Sequence, residues 1–468
     1  MRKILLGTTA VAGAALLAPA AFAQAPVTTA PGQLSGNNQV GTQGVTAPSP
    51  AIAAASGLAV RIGGYFDFSA AMIYDDWDQA RSRNAAGGVN NAQRRSRYDQ
   101  RNDLELYIYI DGRAANGMTY GAMFEYQMDN ASAGAADGTT VSLDEAWGYI
   151  GMPNLGTLQF GQQDSAASQL QVRAPSAGLV GTDGDWYDFI VNTGLFSSPY
   201  ITSGINDGND ATKVIYLSPQ FAGFDFGLSY AQNSYEGERD NVPNSTSAQR
   251  DRLSLENEMS AALRYRGTFG PVGVNAGLGG MWANSGALNA AGAPLGTLRG
   301  QNVTAYTAGL TFSAYGFAVG GEFTWGQYNG SSVGRSALNP GLDDSYHWVI
   351  GATYTMGPLL FGANFAQGEQ DNGTQSSTTG GVTTFRSLAD RKHTIWGVGA
   401  VYTLAPGLAL YAIYQNVNDE NIPTGAPSDA RYLARPANGA TAGTTLASFD
   451  GSNTRTINIG MVGIRLAF

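Results

Sequence analysis

The residues of this chain that could act together chemically are charged. A group of acidic residues lies in one long stretch between two predicted strands. Asp183, Asp185 and Asp188 fall within 164–210, between two segments in which polar and apolar residues alternate. Acidic and basic groups that face each other across a narrow, water-filled space create a field that orders water and sorts ions by sign. The candidate basic partners lie on the polar side of alternating segments: Arg61, Arg97, Arg101, Arg264, Arg266 and Arg465. The alternative interpretation is that these charges only solvate the surfaces that carry them.

Catalytic chemistry finds little support in the sequence. The two histidines are His347, between two aromatic residues near a predicted strand start, and His393, at a loop end beside Lys392. Neither has a carboxylate and a nucleophile in register, so each is interpreted as a histidine at a rim. The chain has no cysteine, which excludes disulfides and thiolate chemistry. It has no phosphate loop and no metal-ligand spacing, so we predict no catalytic residue, no cofactor and no metal.

The composition indicates what kind of scaffold positions the charges. Charged residues make up 13% of the chain, which is about half the proportion usual in soluble proteins. Glycine is abundant, with 63 residues, aromatic residues reach 10%, and the mean hydropathy is -0.15. This combination is typical of a protein with one surface facing lipid and another facing water. The net charge of -10 argues against nucleic acid as a partner.

The N-terminal residues predict export from the cytoplasm. Residues 1–23 combine Arg2 and Lys3, an apolar run of small residues and a final Ala-Phe-Ala, the pattern of a cleaved signal peptide. Residues 24–57 are uncharged and rich in Pro, Gly, Thr, Ala and Gln, so they are expected to form a flexible periplasmic extension. No later stretch has 18 consecutive apolar residues, and in lipid only a closed barrel also satisfies every backbone group.

From residue 58 onward the sequence alternates with a period of two. About sixteen such segments follow one another, and they predict an all-β, transmembrane antiparallel β-barrel over 58–468. Tight gaps such as "MPNLG", "GTFGP" and "LAPG" alternate with long polar ones. Short turns at one rim and long loops at the other are typical of an outer-membrane barrel. Aromatic residues near strand ends predict girdles at the two membrane interfaces, among them Tyr74, Trp147, Tyr149, Tyr230, Tyr328 and Tyr414.

The long gap that holds the acidic group differs from the others. It carries the apolar stretches "GLV", "YDFIV" and "GLF", which an exposed loop would not need. Because loops of this length are usually functional, we expect this third loop to fold into the pore and narrow it. The acidic group would then face the arginines and form the pore constriction.

The chain ends on "GIRLAF". Its alternation places Val462, Ile464, Leu466 and Phe468 toward lipid and Arg465 inward, so the last strand is expected to pair with the first and close the barrel. Ile457, Ile459 and Met461 fall on the inward parity, and this scheme does not explain them.

These features resemble the general porins of Gram-negative bacteria, particularly the trimeric sixteen-stranded porins of alphaproteobacteria. The motifs that carry the resemblance are "GGYFDF", "SLDEAWGYIGMPNLGTLQFGQQD", "KVIYLSPQFAGFDFGLSYAQ" and the terminal "GIRLAF". The resemblance implies a homotrimer in the outer membrane and passive diffusion of small hydrophilic solutes and ions. It also implies that Phe468 acts as the assembly signal. Outer-membrane lipid and lipopolysaccharide are further expected partners.

Three other functions compete with that of a general porin. A substrate-specific channel, for example for sugars, would be favoured by an aromatic slide on the inward parity, for which Tyr65, Tyr107 and Tyr109 are candidates. An outer-membrane enzyme would need an active site, and the sequence shows no recognisable one. An adhesin or structural barrel is not excluded by the loops.

Overall fold

The chain forms one large antiparallel sheet that closes on itself. The structure, a computed structural model, describes residues 52–53, 58–75, 96–129, 140–177, 186, 189–190, 211–233, 255–285, 287–288, 298–299, 301–328, 342–371, 374–379, 382–387, 389–421 and 454–468. The predicted signal peptide and most of the predicted extension lie outside these residues. The described part of the extension, Ile52–Ala53, pairs with Ala59 and Val60.

Sixteen of the described strands build the barrel, and all of them fall where the alternation predicts them. They are β1 (Leu58–Asp75), β2 (Tyr98–Arg113), β3 (Thr119–Asp129), β4 (Thr140–Met152), β5 (Gly156–Gln162), β6 (Thr212–Leu217), β7 (Phe224–Asn233), β8 (Glu256–Phe269), β9 (Val272–Asn284), β10 (Val303–Ala314), β11 (Phe317–Gly326), β12 (Ser345–Met356), β13 (Leu359–Gln370), β14 (Arg391–Ala405), β15 (Leu408–Glu420) and β16 (Arg455–Ala467). Two short hairpins, Ala287–Leu288 with Leu298–Arg299 and Thr374–Thr379 with Val382–Ser387, lie in the long loops.

Each barrel strand pairs with its predecessor, and β16 pairs with β1. In that last pair Phe66 lies opposite Leu466, and Asp67 lies opposite Arg465. Gly64 and Phe468 exchange both backbone hydrogen bonds, each at 3.0 Å. The predicted closed, sixteen-stranded antiparallel barrel is therefore confirmed. In the described part of the chain, no helix combines the length and hydrophobicity needed to span a membrane.

Tight turns join the strands at one end of the barrel. The seven short connections each carry a glycine in the left-handed region of backbone space, which residues with a Cβ rarely adopt. These are Gly117, Gly156, Gly223, Gly270, Gly316, Gly357 and Gly407. The predicted tight turns are thus present at one end of the barrel, and each contains a backbone conformation that only a few residue types tolerate.

The strands separate two chemically different faces. Large apolar side chains on the outer parity remain exposed, as at Phe66, Phe68, Val462 and Leu466. The inner parity carries the polar and charged groups, most of them buried. Because side chains alternate across a strand, the amphipathic sequence leaves only one arrangement that puts the apolar face in lipid.

Candidate pore constriction

The segment that follows β5 lies against the inner wall of the barrel. We call residues 163–177 the strap; all of them are buried except Ser176, which is half-buried. The strap contains one short helix, α1 (Ala166–Leu170), and the side chain of Ser165 caps it by accepting a hydrogen bond from the Ser168 amide. This capping arrangement satisfies one of the free amides at the helix start.

Hydrogen bonds fasten the start of the strap to the wall. The amides of Ala166 and Ala167 donate to the hydroxyls of Ser229 on β7 and Ser260 on β8, each at 3.1 Å. The two hydroxyls are themselves 2.6 Å apart. The wall therefore supplies acceptors to backbone amides that have no partner within so short a helix.

Further along, the strap is hydrogen-bonded to β10 and β13. The Thr311 hydroxyl on β10 donates to the Arg173 carbonyl at 3.2 Å. The Asn364 amide on β13 donates to the Ser176 hydroxyl at 3.3 Å. From β7 to β13 there are six strand spacings, a width of about 29 Å. One short helix and seven extended residues span about 30 Å, so the strap follows the wall without slack.

The apolar part of the same loop is also sheltered. Trp186, Phe189 and Ile190 are buried, with exposed fractions of 2%, 1% and 4%. They belong to one contiguous cluster of buried apolar side chains that also holds members from β12 to β16 and from β1. The cluster includes the inward residues that the alternation left unexplained, Ile457, Ile459 and Met461. The inner wall is apolar at this position because apolar loop residues pack in the same cluster.

Asp164 introduces a carboxyl group into the start of the strap. Burial raises the pKa of this group to about 7, although the nearby Lys213 and Arg173 oppose the rise. Lys213 is itself buried, and its ammonium donates to the Ala211 carbonyl at 3.0 Å. The strap is therefore anchored beside a group that changes its charge near neutral pH.

The predicted wall arginines lie mostly in ion pairs with carboxylates on neighbouring strands. Arg61 contacts Asp111 at 2.8 Å. Arg264 and Arg266 share Asp225, at 2.6 Å and 2.9 Å. The sequence indicates which of these side chains point inward. It does not show that a carboxylate lies within contact distance of each one.

The other predicted arginines divide between two environments. Arg465 is buried and contacts Asp67 at 3.0 Å. Arg101 is half-buried, opposite a buried serine of β1. Arg97 is exposed, and its guanidinium carbon lies 4.6 Å from the ring centre of the outward-facing Tyr74. The structure therefore places Arg97 at the outer surface, away from the wall to which the alternation assigned it. Asp183, Asp185 and Asp188 lie outside the described residues.

Sequence reasoning did not single out two further ion pairs of the inner wall. Arg391 and His393 both contact Asp419, with Nε of Arg391 at 2.9 Å and Nε2 of His393 at 3.0 Å. Nε of Arg455 donates to Asp75 at 2.9 Å, and neither side chain of this pair is exposed. The parity of the two arginines matches that of the predicted ones, so alternation alone could have found them.

The two histidines and several aromatic residues are buried in the wall. His393 packs as described above, and His347 has its Nδ1 2.9 Å from the hydroxyl of Tyr328. Trp147, Tyr149 and Tyr328, interpreted as girdle residues, are buried. Each lies on the inward side, where its polar atom reaches a partner, so none of the three belongs to a lipid-facing girdle.

The inward tyrosines do not form an exposed aromatic slide. Tyr65 and Tyr107 are buried, with exposed fractions of 1% and 6%. The Tyr65 hydroxyl donates to Asp103 at 2.9 Å, and the Tyr107 hydroxyl donates to Glu105. Both rings therefore pack within the wall and do not present a face to a passing solute.

Together the closed barrel, the apolar outer face and the polar inner wall define a transmembrane β-barrel channel. The sequence profile of the Gram-negative porin family matches residues 7–422. The chain belongs to this family, as the sequence motifs predicted. It is therefore an outer-membrane channel for passive diffusion of small hydrophilic solutes, and it is not an enzyme.

Solved structures with the same fold include two channels of Gram-negative bacteria. An anion-selective porin from Comamonas acidovorans is 16% identical, with 88% of this chain and 100% of that chain covered and a TM-score of 0.51. The outer membrane channel DcaP of Acinetobacter baumannii is 12% identical, with 89% and 99% covered and a TM-score of 0.51. Comparison with curated protein sequences finds no match. At such identities the likeness concerns the fold alone.

Proposed function

We propose that the third loop forms the constriction of this porin and that its acidic group, Asp183, Asp185 and Asp188, gives the channel a preference for cations. The observation that carries the proposal is the strap, in which the first part of this loop is hydrogen-bonded to the inner wall at β7, β8, β10 and β13. A loop that begins there continues inside the barrel and occupies part of the lumen.

The ion pairs of the wall support the sign of this preference. Arg61, Arg264, Arg266 and Arg465 each lie within 3.0 Å of a wall carboxylate. A paired arginine contributes a weaker field at a distance than an isolated one, because the opposite charges partly cancel. The acidic group of the loop would then dominate the potential along the pore.

The remaining parts of the proposal concern assembly. Residues 1–23 act as a cleaved export signal, and residues 24–57 form a periplasmic extension. Phe468 acts as the signal for assembly into the outer membrane, among its lipid and lipopolysaccharide. Three copies associate as a homotrimer, each with its own pore. The resemblance to trimeric porins and the apolar outer face support these points.

Reversal potentials in a planar bilayer under a salt gradient test the constriction. Replacing Asp183, Asp185 and Asp188 together by Asn should shift the reversal potential toward anion preference. The matched control replaces Asp240, Asp251 and Asp450 by Asn, which makes the same change in net charge within other long loops. Equal shifts in the two variants, or none in the first, reject the assignment. Conductance steps in groups of three are expected for the trimer.

A further inference from the structure

Glycines of the inner wall lie directly beneath the strap. We call Gly227, Gly277, Gly309, Gly351 and Gly362 the glycine belt; they stand on β7, β9, β10, β12 and β13. At each of them, a Cβ built on the backbone would come within 3.0 Å of an atom of the strap. The belt therefore follows the same path across the wall as the strap.

Two belt positions touch the backbone of the strap. A Cβ at Gly309 would lie 1.8 Å from the Val172 carbonyl oxygen, and one at Gly351 would lie 2.1 Å from the Pro175 carbonyl oxygen. Ordinary carbon–oxygen contacts are about 3.3 Å or longer. A methyl group at Gly309 would thus have to displace the strap by about 1.5 Å.

The other belt positions touch side chains of the strap. A Cβ at Gly277 would lie 2.8 Å from a γ-methyl of Val172, and its next contacts are 3.4 Å away. A Cβ at Gly362 would lie 2.5 Å from the Cβ of Ala177. At Gly277 the obstacle is therefore a single methyl group, which the opposing residue could lose.

The backbone conformation of the belt does not itself call for glycine. None of the five belt residues is among the glycines with positive φ, in contrast to the turn glycines. Glycine inside a strand weakens it, and it often marks a place where another segment of backbone approaches closely. Here that segment is present, and it is the strap.

We propose that the glycine belt consists of positioning residues that determine how far the strap stands from the wall, and hence the open cross-section of the pore. This inference rests on the proposed role of the third loop as the constriction. Any belt side chain would push the strap toward the pore axis, where the space that it takes is lost to ions and solutes. The channel is therefore wider than it would be if the same loop lay against a wall with side chains at the belt positions.

Single-channel conductance of Gly277→Ala, Gly309→Ala and the double variant Gly277→Ala with Val172→Ala tests this. Both single variants should show a loss of conductance relative to the native channel. The double variant should regain it, because Val172→Ala removes the one methyl group in conflict. Gly460→Ala is the matched control, since a Cβ at this strand glycine meets nothing within 4 Å.

Heat-dependent mobility in gel electrophoresis would confirm that each variant retains a folded barrel. If Gly309→Ala misfolds, the milder Gly277→Ala and its rescue still decide the question. Native or larger conductance in folded Gly277→Ala, or a double variant that conducts no better than the single one, would overturn the proposal. The outcome is separable from that of the aspartate variants, because ion preference reports on the acidic group and conductance reports on the strap.

Discussion

Asp67 joins three strands at the seam where the barrel closes, and its removal should strongly destabilise the protein. It lies on β1, accepts a hydrogen bond from Nε of Arg465 on β16 at 3.0 Å and another from the hydroxyl of Tyr411 on β15 at 2.6 Å. The guanidinium of Arg465 also lies 4.1 Å from the ring centre of Tyr65. The exposed fractions of Asp67 and Arg465 are 2% and 1%, so water screens this pair little.

Two substitutions should therefore give graded losses of stability. Asp67→Asn removes the negative charge while Arg465 stays buried, and removing one partner of a buried pair costs about 3–5 kcal/mol. Tyr411→Phe removes only one hydrogen bond to a charged acceptor, which is worth about 1.5–3 kcal/mol. The free energy of unfolding should thus fall more for Asp67→Asn than for Tyr411→Phe.

Urea unfolding in detergent or lipid, followed by tryptophan fluorescence, measures these free energies. Lys392→Gln serves as the control, because the Lys392–Glu369 pair at 3.2 Å is well exposed, and such pairs contribute little. If Asp67→Asn unfolds at the same urea concentration as the native protein and the control, the argument that this seam depends on a buried charge pair is refuted.

Two further predictions concern the strap and the apolar cluster of the inner wall. Because the pKa of Asp164 is about 7 in the folded protein and 3.8 ordinarily, the native protein should lose stability as the pH rises from about 4 to 7. Asp164→Asn should remove this loss of stability. If the free energies of unfolding of the native protein and the variant change in parallel across that pH window, the prediction is wrong. Ile459→Ala, at a side chain with no exposed surface, should cost about 2–5 kcal/mol and add noise to the open-channel current. Val462→Ala on the outer face should change neither the stability nor the current noise. Equal effects of the two substitutions would contradict the packing of the loop against the apolar cluster of the inner wall.

The strands and turns could be predicted from the sequence because their causes are local. Alternation along one segment determines which side chains face lipid, and a glycine with positive φ, such as Gly270 or Gly407, is required by the turn itself. Arg465 could be assigned to the inner face for the same reason. Neither conclusion needs knowledge of any other strand.

The partners across the wall could not be predicted in the same way. Asp67 and Arg465 are 398 residues apart in sequence, and their contact depends on the register of β1 against β16, which neither strand encodes alone. Arg97 was misplaced because it precedes the first residue of β2, where strand parity no longer holds. The sequence around a glycine such as Gly309 does not show that another segment packs against it. Ile457 and Ile459 did give a signal, since apolar residues on a polar face require a cover, but the sequence does not identify it.

The pairing of the last residue with Gly64 also has a consequence for the order of events in folding. The hydrogen bonds between Gly64 and Phe468 join the first and last strands of the barrel, so β1 lacks its second neighbour until β16 has been made. Contacts so distant in sequence form slowly. An unpaired strand edge meanwhile offers a template for pairing with other chains. Both edges of the sheet therefore stay exposed to such pairing until β16 and β1 meet, and the bonds of Phe468 belong to the contact that removes both edges at once.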